Sequence, residues 1–355
     1  MIDSLFTPVT LGDLRLRNRI IMAPMTRSRA DAGAMPTDLM VEYYRQRASA
    51  GMIITEGIGP SANGIGYCRT PGIYTDEQQA AWARVVDAVH DNGGVIVAQI
   101  MHCGRIGHAA NKPEGSELVA PSAIAARGEM YTDAEGMQPF GMPRALELEE
   151  IPAVVQEYAD ATARAYAAGF DGVELHCTSG YLPAQFLCTG SNQRQDAYGG
   201  SVQNRVRFPL EVLRAMAEVD GPGRVGFRIA PDNQFNDVYD EDPRDTFAAF
   251  LAGASALNLA YVHSIRMPEG RVDNLQIARD HFPGRVIGNE SYKPEEAADA
   301  IASGALDAVS FGRPFIANPD LVDRIWRTKP LAKIDFSTLY TPGERGYTDY
   351  PPLGA

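Results

Sequence analysis

In the middle of the chain, the stretch GFDGVELHCTSGYLPAQFL carries a buried-looking run, Val173 to Leu175, into His176, with Ser179 three positions on and Tyr181 two further. All three of these side chains donate hydrogen bonds, so a strand that ends this way offers donors to a ligand. Other apolar runs end in the same manner: APMTRS holds Thr26, AQIMHCGR holds Gln99, GFRIAP holds Arg228 and SFGRP holds Arg313. Gln99 and Arg228 stand within or just after their runs, where an unpaired polar group is costly to bury. A large, planar, polar ligand would satisfy both. Any one of these residues alone reads as a loop anchor; five at one mouth argue for a binding site.

Two further stretches, VIGNESYKPEE and VSFGRPFIANP, have the makings of a phosphate cradle. Gly288 and Gly312 permit close approach of the backbone, and Arg313 adds positive charge. Glu290 is an awkward neighbour for a phosphate unless its side chain points away.

Eight elements must position these residues. Nearly continuous apolar runs at Arg19–Met25, Met52–Ile58, Val95–Ile100, Gly172–His176, Val225–Ile229, Leu257–His263, Arg285–Gly288 and Ala308–Gly312 read as parallel strands covered on both sides. Amphipathic stretches near 37–49, 76–92, 149–168, 202–219, 243–254, 271–281, 294–303 and 319–328 alternate with them, Asp76 and Pro294 marking helix starts. This alternation predicts an α/β fold, a (β/α)8 TIM barrel, with functional residues at the C-terminal ends of its strands. An open doubly wound sheet would need a glycine-rich first turn, which MAPMTRSR does not supply. The two longest connections, 104–148 and 179–201, both leave such strand ends, and the first reads as a cap inserted into one domain spanning 1–355.

The bulk properties narrow the ligand class. A chain of 355 residues, 45% apolar, can bury a large core, and a net charge of −13 without a basic block argues against nucleic acid or an anionic membrane as partner. No apolar run reaches the roughly 20 residues of a membrane span, and the N-terminal stretch lacks the basic head and apolar core of a signal peptide. Cys68, Cys103, Cys177 and Cys188 show no paired spacing, so neither zinc nor a disulfide framework is expected, and the cytoplasm is the expected location. His102 and His108 match no metal pattern and read as structural. Asp232, Asn236 and Asp240 lie in an acidic stretch that reads as a solvated loop, with weak cation binding left open.

The segments FTPVTLGDLRLRNRIIMAPMTRSRA, ITEGIGPSANGIGY, GFDGVELH with GYLPAQFL and SNQRQDAYGGSVQNRVRF, FGRPFIANPDLV and GYTDYP together resemble the old yellow enzyme family of FMN-dependent ene-reductases, in order from about residue 4 to residue 352. The resemblance implies an FMN ring across the barrel mouth, reduced by NADPH or NADH and reoxidised by an activated alkene such as an α,β-unsaturated carbonyl or nitro compound. It implies that Ala23, Pro24, Thr26, Gln99 and Arg228 contact the flavin and that Gly288, Asn289, Gly312 and Arg313 hold its phosphate end. An arginine beside the flavin would stabilise the negative charge of the reduced ring. Tyr181 would deliver a proton to the substrate α-carbon, and Tyr67, Met101 and Tyr347 would line the substrate side.

In most of this family the donor pair is His-x-x-Asn or His-x-x-His; here it reads His176-Cys177-Thr178-Ser179. Serine offers one O–H on a shorter stem than an amide. Ser179 either donates to a deeper-seated substrate, directly or through water, or marks a pocket retuned for another substrate, or has drifted. That departure keeps a desaturase or isomerase on the same scaffold open as an alternative, along with a flavin-binding redox protein without turnover; a retained Tyr181 speaks against the last. The sequence does not fix the oligomeric state.

Overall fold

The computed structural model describes residues 2–354. Eight parallel strands, β1 (Ile20–Met22), β2 (Met52–Ile58), β3 (Ile96–Ile100), β4 (Gly172–His176), β5 (Val225–Ile229), β6 (Tyr261–Ile265), β7 (Arg285–Asn289) and β8 (Ala308–Phe311), pair in chain order and close into a barrel. Every residue of β2, β3, β4 and β5 is buried, which is why these runs are apolar without alternation. Outside them pack α1 (Asp38–Gln46), α2 (Asp76–His90), α3 (Ile151–Ala167), α4 (Arg207–Asp220), α5 (Pro243–Ser255), α6 (Asn274–His281), α7 (Pro294–Ala302) and α8 (Arg313–Ala317). The (β/α)8 expectation is therefore met.

Local chemistry sets the boundaries. The Thr75 side chain caps α2 by accepting from the Gln78 N–H, and Gln78 reciprocates, so Asp76 is the first helical residue rather than the cap. Pro294 opens α7 as expected. The sixth strand starts later than expected because α5 runs to Ser255 and a turn follows, with Asn258 at a φ of 56°. The stretch 202–219 divides into a short turn at Val202–Arg205 and α4. The helix expected at 319–328 is Leu321–Trp326, preceded by α8, whose five residues are too few to announce themselves by periodicity.

The segment 104–148 lends residues 127–131, 133, 137 and 140 to the wall of the barrel mouth. It contains an antiparallel hairpin, Glu129–Thr132 against Gly136–Pro139, and a parallel pairing of Val119–Ala120 with Arg144–Ala145. Its Arg127 forms an ion pair with Asp237, in the loop after β5, at 2.6 Å. The opposite mouth is plugged by an N-terminal hairpin, Val9–Leu11 against Leu14–Leu16, whose leucines pack with Ile21, Ile54, Val97, Tyr261 and Ile287. Its turn rests on Gly12 at a φ of 57°, where an added Cβ would stand 2.3 Å from the Gly223 carbonyl and 2.8 Å from Ala260 Cα. Gly12→Ala should therefore cost at least about 1–3 kcal/mol, read as a lowered midpoint in thermal or urea unfolding. An unchanged midpoint would mean that the plug contributes nothing to barrel stability.

Candidate active site

The C-terminal mouth of the barrel opens into a cavity of about 1620 Å³. Ala23, Pro24 and Thr26 reach it from the end of β1, Gln99 and Met101 from β3, His176, Ser179 and Tyr181 from β4, and Arg228 from β5. Asn289 reaches it from β7, and Gly312 and Arg313 from β8. Tyr67 and the hairpin residues Met130, Tyr131 and Met137 line it as well. The five polar strand ends singled out in the sequence thus converge.

Two expected residues do not line it. Tyr347 is fully buried away from the cavity, stacked on Tyr43 with ring centroids 4.0 Å apart and with the Arg27 and Arg29 guanidinium groups 5.3 and 4.8 Å from its ring. The cause lies in the two arginines. Arg27 donates to the Gly346 carbonyl at 2.7 Å, and Arg29 donates to the Thr338 and Leu339 carbonyls at 2.9 and 2.8 Å. They draw the C-terminal segment inward at 346–347, so that residues between Leu331 and Pro342, among them Leu339 and Tyr340, and not Tyr347, form its contribution to the cavity wall. Gly288 is likewise absent from the lining; its missing Cβ makes room for Leu306, which would lie 2.4 Å away. That glycine serves packing, and Asn289 is the β7 residue facing the cavity.

Below the mouth lies a polar layer that the sequence reading did not single out. Gln99 donates to Glu174 Oε1 at 2.8 Å, and Glu174 Oε2 pairs with His263 Nδ1 at 2.9 Å. His263 Nε2 meets the Ser310 hydroxyl at 2.7 Å, and Arg228 bonds His263 and, at 2.7 Å, the Asn289 amide oxygen. Strand register delivers this: Glu174 is paired with Gln99, His176 with Arg228, Arg228 with His263 and Asn289 with Ser310. The signal was present as buried-strand polar residues inside GVELH, YVHSI and AVSF, among apolar neighbours.

The charges follow from this layer. Burial lowers the Arg228 pKa to about 10, and Glu174 pulls it back up, so the guanidinium stays charged at neutral pH. Burial and the Arg228 charge push His263 down to about 4. Burial, then Arg228 and His263, hold His176 well below the usual imidazole value, so it is neutral, with one ring N–H to donate. Burial also raises Tyr181 well above the usual phenol value, keeping it protonated.

The donor side is organised around Tyr67. Tyr181 donates to the Tyr67 hydroxyl at 3.3 Å, and Asn236 Nδ2 donates to the same hydroxyl at 3.3 Å and to the Ser179 carbonyl at 2.8 Å. The His176 ring stands edge-on to Tyr181 at 4.7 Å. Ser179 holds a φ of 56°, a left-handed conformation that asparagine adopts more readily than serine. Thr178, whose buried Oγ1 has no protein partner, does not line the cavity. Asn236 entered the sequence reading only with Asp232 and Asp240, as a member of an acidic loop with weak cation binding left open. Asp232 in that loop is paired with Arg271, and Asp240 lies 3.5 Å from Arg205. The His108 side chain caps the turn Ala109–Asn111.

Comparison with known proteins decides what such a cavity belongs to. The family profile described as NADH:flavin oxidoreductase / NADH oxidase matches residues 4–331. The chain belongs to that family. It is 44% identical to a probable flavin mononucleotide-dependent alkene reductase of Leishmania infantum, covering 99% of this chain and 98% of that one. It is 39% identical to 12-oxophytodienoate reductase 7 of Oryza sativa subsp. japonica, covering 99% and 95%. Among solved structures, morphinone reductase superposes with a TM-score of 0.93 at 44% identity over 98% of this chain and 96% of that one. The old yellow enzyme homologue from Zymomonas mobilis does so with a TM-score of 0.94 at 40% identity over 98% and 99%. The old yellow enzyme resemblance and the ene-reductase expectation stand.

The residues present fit an FMN. His176 Nδ1 is buried at the cavity without a protein partner. Gln99 uses its amide N–H on Glu174, which leaves its oxygen for a ligand, and Arg228 has donors beyond those spent on His263 and Asn289. At Gly312 a Cβ would meet nothing closer than Met25 Sδ at 3.4 Å, so the protein leaves that backbone open on the cavity side.

Three buried histidines are held neutral: burial lowers His102 to about 3 and His263 to about 4, and puts His176 well below its usual value. Their folded values lie below the unfolded one of about 6.5, so the stability they contribute is complete above that pH and is lost as pH falls toward 4. Unfolding free energy should decline over that window, and His263→Asn should reduce the slope by about one proton's worth, up to roughly 1.4 kcal/mol per pH unit. Denaturation midpoints measured from pH 7 to pH 4 check this; an unchanged slope in the variant would contradict a neutral His263.

Proposed function

We propose that the chain reduces the C=C bond of α,β-unsaturated carbonyl or nitro compounds, with FMN taking hydride from NADPH or NADH and with segment 104–148 as the lid of the site. The observation that carries this reading is the juxtaposition, in one cavity, of the neutral donor His176, the cavity-facing Ser179 and the protonated Tyr181 with the Gln99–Arg228 pair. The bound flavin supplies the hydride for the β-carbon; the chain's own side chains do the rest. His176 and Ser179 hydrogen-bond the substrate oxygen and polarise the alkene. Tyr181 gives its proton to the α-carbon, and its hydrogen bond to Tyr67 holds the phenol in position. Arg228, whose charge Glu174 supports, would stabilise the negative charge of a reduced flavin. Asn289, Gly312 and Arg313 hold the phosphate end. Met101, packed against Tyr181 and Phe140, shapes the substrate side with an adaptable thioether chain. Four unpaired cysteines, three of them buried, support a reducing compartment, the cytoplasm, as its location.

Ser179 makes the substrate oxygen less well held than an amide would. In stopped-flow experiments Tyr181→Phe should leave flavin reduction by NADPH intact and slow reoxidation by 2-cyclohexenone by about 10²–10⁴-fold. Ser179→Asn should raise kcat/KM for the same enone by about tenfold or more. Equal slowing of both half-reactions in the tyrosine variant would remove Tyr181 as proton donor, and unchanged turnover in the serine variant would remove Ser179 from the oxygen-binding pair.

A further inference from the structure

At the β7–β8 end of the cavity the cradle expected for phosphate has an unusual tenant. Glu290, Ser291 and Arg313 all line this end. Arg313 forms an ion pair with Glu290 and donates to the Ser291 hydroxyl at 2.8 Å, while that hydroxyl donates to Glu290 Oε1 at 2.7 Å. The ion pair and the two hydrogen bonds link the three side chains into one cluster.

The backbone adds a second observation. Glu290 has a φ of 87° and Ser291 a φ of 54°, two successive left-handed residues without a glycine between them. The value at Glu290 lies beyond the narrow left-handed region open to residues with a Cβ, where glycine sits at no cost. The Glu290 carbonyl accepts from Arg266 Nε at 2.7 Å, which fixes the turn from behind. A strained position is thus filled by a carboxylate that neutralises a neighbouring cation, where a glycine would leave both the backbone and Arg313 free.

We infer that Glu290 competes with the flavin phosphate for Arg313, so that this chain holds its flavin mainly through the ring and discriminates weakly between FMN and riboflavin. The inference rests on the FMN reading above. A phosphate monoester brings about −1.5 to −2 charges to this end of the cavity. It must displace the carboxylate from Arg313 or share the guanidinium with it, and both reduce what the cation contributes. The ring contact at Gln99 is untouched by that competition, and Arg228 feels Glu290 only through space and less than it feels Glu174.

Equilibrium dialysis of the full chain against FMN and, separately, against riboflavin tests this. Glu290→Gln keeps the side-chain length and removes the charge; it should tighten FMN roughly five- to tenfold and change riboflavin binding by less than about twofold. Glu290→Gly, which also relieves the left-handed strain, should tighten FMN at least as much and raise the thermal midpoint of the flavin-free protein. Unchanged or weaker FMN binding by Glu290→Gln would overturn the inference and make Glu290 a positioner of Arg313. Failure of the unaltered chain to bind either flavin would instead remove the cofactor reading beneath it.

Discussion

A charged guanidinium buried in the neck of a barrel is the constraint around which the rest is arranged. Arg228 cannot stay there without compensation, and Glu174 supplies it through space while His263 and Asn289 take its N–H groups. Glu174 in turn must be satisfied, which commits Gln99 and one nitrogen of His263. The other nitrogen of His263 commits Ser310, and the Asn289 amide donates to the same hydroxyl at 2.8 Å. The polar layer therefore ties together five neighbouring strands, β4 through β8, and joins β3 through Gln99. Its members are fixed by one another, so the side chains it leaves facing the cavity are fixed before any ligand arrives.

That layer sets the electrostatics above it. Burial, reinforced by the Arg228 charge, keeps His176 neutral, a donor rather than a cation, and the same guanidinium is available to a ring that becomes negative when reduced. Backbone strain is placed higher, in the loops. Ser28, Arg69, Ser179, Asn236, Asp237, Glu290 and Ser291 all have positive φ and all line the cavity. Strain of this kind persists only where surrounding contacts over-determine it. Asn236 shows how, with one amide bridging the Ser179 carbonyl and the Tyr67 hydroxyl.

The barrel was legible because buried parallel strands write their burial directly into the sequence, and because strand ends such as MHCGR and LHCTSGY break an apolar run abruptly. The convergence of Thr26, Gln99, His176, Arg228 and Arg313 followed from topology alone. What stayed hidden depended on contacts between distant segments. Tyr347 has the right chemistry for a substrate contact, but its position is decided by Arg27 and Arg29, more than 300 residues earlier. Gly288 looked like a cradle glycine and proves to be a packing glycine because of Leu306, which no local pattern reveals. Glu174 and His263 could have been found as lone polar residues within apolar strands, though not that they face each other.

The most direct test of the account is an anaerobic absorption spectrum of the purified chain, first alone, then with NADPH, then with 2-cyclohexenone. A visible flavin band should bleach on addition of the nicotinamide and return with the enone. Bleaching without return would contradict the assignment of His176, Ser179 and Tyr181 as an alkene-reducing set, and a chain that shows no flavin band even after FMN is added would contradict the site as a whole.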